Sequence, residues 1–141
     1  MQRLLLLLGC LVLSVPAIAA AAAQTKGTEP AHIAQGEKVA LSDHLVPGKT
    51  TIFDFTSKYC GPCQAYNQPL ALLHAQRADL AVVKVDINRP DVKGIDWKSP
   101  VALQYQMNSI PHFKVYGPDG QLLAEGKAAR QMVDKWISAL K

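Results

Sequence analysis

Apolar and polar positions along this chain switch between two periods, and the switches mark out strands and helices. Thr50 to Phe55 carries apolar side chains on both faces, as a central strand covered by helices on each side requires. From Cys60 to Ala78 the pattern turns helical: Ala65, Leu70, Leu72, Leu73 and Ala75 interleave with Gln64, Asn67, Gln68, His74, Gln76 and Arg77. Pro69 predicts a kink there, because it removes one backbone bond. Leu80 to Ile87 is a second, β-branched strand, so the segment reads as a β-α-β crossover with parallel strands. Ser99 before Pro100 reads as a cap with proline in the first turn, opening a short helix over Val101 to Met107. His112 to Tyr116, the turn Gly117-Pro118-Asp119-Gly120 and Gln121 to Glu125 predict an antiparallel hairpin. Met132, Val133, Trp136, Ile137 and Leu140 form the apolar face of a closing helix.

Ahead of the first long strand the signals weaken. Glu37 to Leu41 predicts a short first strand, Ser42-Asp43 a helix cap and Pro47-Gly48 a turn. Gln24 to Ala34 is polar, contains Gly27 and Pro30 and has no period, which predicts a flexible leader. The start of the chain has the layout of a secretory signal peptide. Arg3 supplies a cationic start, Leu4 to Val15 an apolar centre, and Ala17 to Ala23 a small-residue cleavage region. The expected organisation is a signal over 1–23, a leader over 24–34 and one domain over 35–141. Cys10 resembles a lipoprotein acceptor, but few residues precede it and the apolar run continues past it. Leu4 to Ala23 is also long enough for an uncleaved membrane anchor. On either reading the domain is expected outside the cytoplasm, in the periplasm.

Of the three cysteines in 141 residues, Cys10 falls in the signal, leaving Cys60 and Cys63. A stabilising framework would link distant parts of the chain, whereas this pair closes a loop of two residues. The pair therefore reads as chemical equipment. The formal charge of +4 falls to +3 without Arg3, and its basic residues are scattered with no run or aromatic-interleaved patch. That argues against a nucleic-acid partner.

Cys60-Gly61-Pro62-Cys63 follows directly on the first long strand, and two thiols at this spacing can open and close one disulfide. With a helix starting at the motif, Cys60 lies where unpaired N–H groups and the helix dipole favour a thiolate. Cys60 is then the nucleophile and Cys63 the resolving thiol. Zinc would need two further patterned ligands, and His74 and His112 are isolated. Covalent haem would need histidine after the second cysteine, where Gln64 stands. No metal or organic cofactor is called for.

A strand, CxxC at a helix start, a β-α-β crossover, Ile-Pro before a hairpin and a terminal helix together resemble the thioredoxin family. The likeness runs from Val39 to Lys141 and includes Phe53-Asp54-Phe55, the Gly61-Pro62 dipeptide, Lys84 with Asp86, and Ile110-Pro111. It implies an α/β thioredoxin fold, a central mixed β-sheet flanked by helices. It further implies that Cys60 attacks and Cys63 resolves. Asp54 matches a buried carboxylate that assists proton transfer at the resolving thiol, and Lys84 a strand lysine able to pair with it. Pro111 matches a cis-proline facing the disulfide, and Tyr59, Gly61, Pro62, Ile110 and Pro111 form the surface that meets substrate.

This chain departs from the family pattern at Tyr59, where tryptophan is usual, at Thr56, where an aromatic is frequent, and at Pro69, one residue late. An insertion of about nine residues around Asp91 to Ser99 lies between Pro90 and Pro111, with Trp97 either a substrate platform or, the favoured reading, an anchor of the loop to the core. His112 is expected to be a half-exposed structural histidine. The function implied is a thiol:disulfide oxidoreductase, reducing protein disulfides as a monomer and recharged by a membrane-embedded or soluble electron donor. A dithiol oxidase of secreted proteins and a non-catalytic binding module are the alternatives.

Overall fold

The computed structural model describes residues 26–141, and the expected signal peptide lies outside them. Among the described residues five strands form one sheet in the order β1-β3-β2-β4-β5. Strands β1 (Ala31–Ile33), β2 (Thr50–Thr56) and β3 (Leu80–Asp86) run parallel, whereas β4 (His112–Tyr116) pairs antiparallel with β2 and β5 (Leu122–Glu125) with β4. The crossover between β2 and β3 carries α1 (Gly61–Gln64) and α2 (Asn67–Gln76). Helix α3 (Pro100–Gln104) precedes β4, and α4 (Gly126–Ser138) closes the chain.

Strand β2 is central, and its alternating side chains feed two cores. Phe53 and Phe55 join Val83, Val85, Val101 and Met107 on one face, and Ile52 joins Val82, Leu70, Leu73, Phe113 and Val133 on the other. Burial of this many large side chains is the main stabilising term, at about 25 cal/mol per Å² of apolar surface removed from water. Edge-to-face packing of Phe55 on Tyr105, with centroids 5.3 Å apart, ties α3 to the sheet.

Several sequence expectations change. The leader expected through Ala34 already contains an edge strand: Ala31 to Ile33 pairs with Val83 to Val85, and the segment before it is held by His74. That ring accepts the Val82 N–H on Nδ1 and lies 3.0 Å from the Gly27 carbonyl oxygen through Nε2, a tie across 47 residues that has no local signal. The strand expected over Glu37 to Leu41 is absent, and a single 3-10 turn, Leu41–His44, occupies its end. The helix expected from Cys60 to Ala78 is two helices meeting at Ala65 and Tyr66, so Pro69 falls in the first turn of α2, where a missing donor costs little. Helix α3 stops at Gln104, because Tyr105 leaves the helical region and Gln106 takes a positive φ of 53°. Ser99 caps it as predicted, its side chain accepting from the Ala102 N–H.

Candidate active site

The adjacent parallel strands β2 and β3 end side by side, with the Ile87 N–H donating to the Thr56 carbonyl at 3.0 Å. Loops leaving the carboxyl ends of such strands are where α/β sheets build their sites. The first loop runs from Ser57 to Cys60 and is closed by the Cys60 N–H on the Ser57 carbonyl at 3.0 Å. Cys60 then caps α1: its Sγ accepts from the Cys63 N–H at 3.2 Å, and Pro62 sits in the first turn, where it forfeits no bond. Cys60 and Cys63 are joined in a disulfide, with Cα atoms 5.2 Å apart. Cys60 retains 4% exposure and Cys63 none, so only Cys60 can be approached from solvent.

The antiparallel β4 begins at the same edge of the sheet. The Ile110 carbonyl oxygen lies 3.7 Å from Cys60 Sγ, and the Ile110-Pro111 peptide is cis. Arg130, from α4, donates to the Pro111 carbonyl at 2.6 Å. Of the residues expected to face substrate, Tyr59, Gly61 and Pro62 are exposed, Ile110 is half-buried and Pro111 is buried. His112 is half-buried against Phe55 and bonds Glu125 at 3.1 Å.

Asp54 and Lys84 are register partners on β2 and β3, and their side chains meet at 3.1 Å with almost no solvent contact. Lys84 also donates to Asn67 Oδ1 at 2.7 Å, which links the pair to the start of α2, four residues beyond Cys63. Lys84 therefore does not snorkel to water. Burial pushes the Asp54 carboxyl above its usual range; the Lys84 charge and hydrogen bond oppose this, and His32 does so more weakly. Asp54 Oδ1 has no hydrogen-bond partner among the described residues, which fits a group that gains by holding a proton.

A second buried network binds the disulfide turn to the insertion. Ser57 Oγ donates to Asn88 Oδ1, which also accepts the Asp96 N–H at 3.3 Å, and the Tyr59 N–H donates to Ser57 Oγ at 3.2 Å. Asn88 Nδ2 donates in turn to the Gly94 carbonyl at 2.6 Å. Asn67, Ser57, Asn88 and Arg130 were not singled out in the sequence. Ser57 and Asn88 carried a usable signal, since each lies just past the end of one of two neighbouring parallel strands.

A cysteine pair closing at the start of a helix, beside a cis Ile-Pro and above a sheet with a buried Asp-Lys pair, defines a dithiol redox protein. Residues 37–139 match the Thioredoxin family. Over 141 aligned residues the chain is 30% identical to the thiol:disulfide interchange protein TxlA homolog of Synechocystis sp., covering 92% of this chain and 73% of that protein. It is 29% identical over 86 residues to a thioredoxin H-type of Fagopyrum esculentum, 61% of each chain. Thioredoxin f from spinach chloroplast superposes with a TM-score of 0.56 at 17% identity, covering 82% of this chain and 96% of that one. The chain belongs to the thioredoxin family and is a thiol:disulfide oxidoreductase.

Proposed function

We propose that this protein reduces protein disulfides outside the cytoplasm. The carrying observation is the Cys60 environment: its sulfur accepts the Cys63 N–H, stands next to the Ile110 carbonyl and is the member of the pair open to solvent. After reduction the same N–H favours a Cys60 thiolate. That thiolate attacks one sulfur of the substrate disulfide, forming a mixed disulfide and expelling the other substrate sulfur as a thiolate. Cys63, deprotonated, then attacks Cys60, closing the intramolecular disulfide and releasing the second substrate thiolate. Two electrons pass to the substrate, and the Cys60–Cys63 dithiol is oxidised. Asp54, as the carboxylate whose affinity for a proton is raised by burial, takes up the proton that Cys63 loses.

The reducing direction rests on the Gly61-Pro62 dipeptide and on Ile110 before Pro111, which resemble the reducing branch of the family. The extracytoplasmic location rests on the signal-like residues 1–23. An exported reductase needs a donor to restore its dithiol, and a membrane-embedded dithiol protein meets that need. Substrate groups pair with the backbone beside Ile110, and one chain suffices for the cycle.

Three measurements test this. The purified protein should catalyse insulin reduction by dithiothreitol, and a Cys60→Ser variant should not. The reduction potential of the pair should lie near that of reducing thioredoxins, about −270 mV, and a value near −120 mV would make it an oxidase instead. Fractionation of cells producing the full chain should recover it outside the cytoplasm.

A further inference from the structure

The insertion shares the edge of the sheet that holds the disulfide. It leaves the carboxyl end of β3 just as the redox turn leaves the carboxyl end of β2, and buried Asn88 fastens the two together. Asn88 Oδ1 accepts from the Ser57 hydroxyl of the turn and from the Asp96 N–H of the insertion, so a turn side chain and the insertion backbone converge on one atom. Arg89 closes the base of the insertion with a bidentate pair to Asp96 at 2.7 and 3.1 Å. Ile95 packs against the core formed by Phe55 and Val101 and supplies the anchor expected of Trp97. The insertion is thus fixed to the sheet by its base and by Ile95, and to the redox turn by Asn88.

With that anchoring complete, Trp97 is left 37% exposed, and Tyr59 across the Asn88 junction is 41% exposed. They are the exposed large aromatic residues among the described residues. Each hydrogen bond of this network brings modest net stability, and together they hold the loop rigid while Trp97 still faces water. Exposed aromatics on a rigid support are the usual anchors of recognition surfaces.

We propose that the 91–99 insertion is a specificity element for protein disulfides, tethered to the redox turn by Asn88, with Trp97 and Tyr59 receiving an apolar segment next to the substrate's disulfide. The occupant follows from continuity with the disulfide: Tyr59 adjoins Cys60, and Asp96, next to Trp97, shares Asn88 with the redox turn, so a chain joined to Cys60 in the mixed disulfide has this rim beside it. A small disulfide has no such segment. The proposal rests on the oxidoreductase reading above.

The test compares second-order rate constants for oxidation of the pre-reduced protein by insulin and by hydroxyethyl disulfide, followed by acid quench and thiol alkylation. Trp97→Ala should slow the insulin reaction by about tenfold, the effect of losing one good aromatic contact. It should leave hydroxyethyl disulfide unchanged within a factor of about two. Trp97→Phe should restore most of the insulin rate. In an Asn88→Ala background Trp97→Ala should add little, because the tether is already lost. Equal losses on both disulfides, an unchanged insulin rate, or fully additive effects of the two substitutions would each overturn the role of the insertion. A wild-type protein that reacts with hydroxyethyl disulfide and not with insulin also overturns it while leaving the thiol chemistry standing, whereas reaction with neither overturns the oxidoreductase reading itself.

Discussion

Lys84 Nζ lies 3.1 Å from Asp54 Oδ2 inside the sheet, and the aspartate nevertheless holds its proton more tightly than a carboxylate in water. Burial outweighs the cation: the Asp54 carboxyl is cut off from solvent, and its Oδ1 has no partner among the described residues. A raised native pKa means that the folded state binds more protons than the unfolded one above the unfolded value of 3.8. Asp54 therefore adds stability that is fully present below about pH 4 and lost as pH rises through its folded pKa.

Substituting Asp54→Asn removes this dependence. Measured by urea denaturation of the oxidised proteins, the stability difference should move in the variant's favour between pH 4 and pH 8. In the reduced protein, release of the mixed disulfide should slow, because Cys63 loses its proton acceptor. A parallel pair of stability curves, with an unchanged rate, would reduce Asp54 to a structural residue.

His74 gives the opposite sign. Its pKa is lowered, first by burial and next by the Lys26 charge, against the Gly27 hydrogen bond and Glu29. The neutral ring accepts from the Val82 N–H on Nδ1, and protonation would turn that acceptor into a donor facing a donor. Its contribution is present above pH 6.5 and lost as pH falls through the lower folded value. His74→Ala should cost about 2 kcal/mol at pH 8, the penalty of leaving a buried N–H unpaired. That cost should shrink as pH falls toward 5, which thermal melts of both proteins across this range would check.

Gly36 has φ +85°, and a Cβ there would come within 2.5 Å of Arg89 Cγ and 2.7 Å of its backbone nitrogen. The Gly36 carbonyl also accepts the Val101 N–H, and its N–H donates to the Asp86 carbonyl, so the segment has little room to shift. Gly36→Ala should lower unfolding stability by about 2–3 kcal/mol from strain alone. It should also disturb the Arg89–Asp96 base of the insertion, detectable as faster amide exchange at Asp96 and Trp97. A loss below about 0.5 kcal/mol would show that the backbone can relax around the methyl group.

Local chemistry made much of this molecule readable in advance. The doubly apolar Thr50 to Phe55 run, the Ser99-Pro100 cap and the Gly117 to Gly120 turn each specify their element through nearby residues. So does the cysteine motif, since two thiols three positions apart at a helix start have one obvious chemistry. What escaped was non-local. Strand β1 exists because β3 offers it a free edge and His74 seals the chain before it, and no period of two can appear in three residues. The break between α1 and α2 keeps hydrophobic spacing on both sides, so it left no trace in the pattern. Asn67 gave no sign of reaching Lys84, because that bond depends on where a helix lands on a sheet. The insertion was visible as extra length, but its attachment through Asn88 needed the parallel ends of β2 and β3 side by side.

The two thiols should differ sharply once reduced. Cys63 is fully buried in the first turn of α1, whereas Cys60 caps that helix, accepts the Cys63 N–H and retains its opening to solvent. A sulfur that accepts an N–H and sees the positive end of a helix ionises more readily, and alkylation follows the thiolate fraction multiplied by access. Both factors favour Cys60. Treating the reduced protein with limiting iodoacetamide at pH 7 should label Cys60 at least about tenfold over Cys63. Peptide mapping by mass spectrometry would read the ratio directly, since the motif fragments between Gly61 and Pro62. The preference should weaken above pH 9, where an ordinary thiol near 8.5 is also ionised and only access distinguishes the pair. Dominant labelling of Cys63 at pH 7 would reverse the assignment of attacking and resolving thiols.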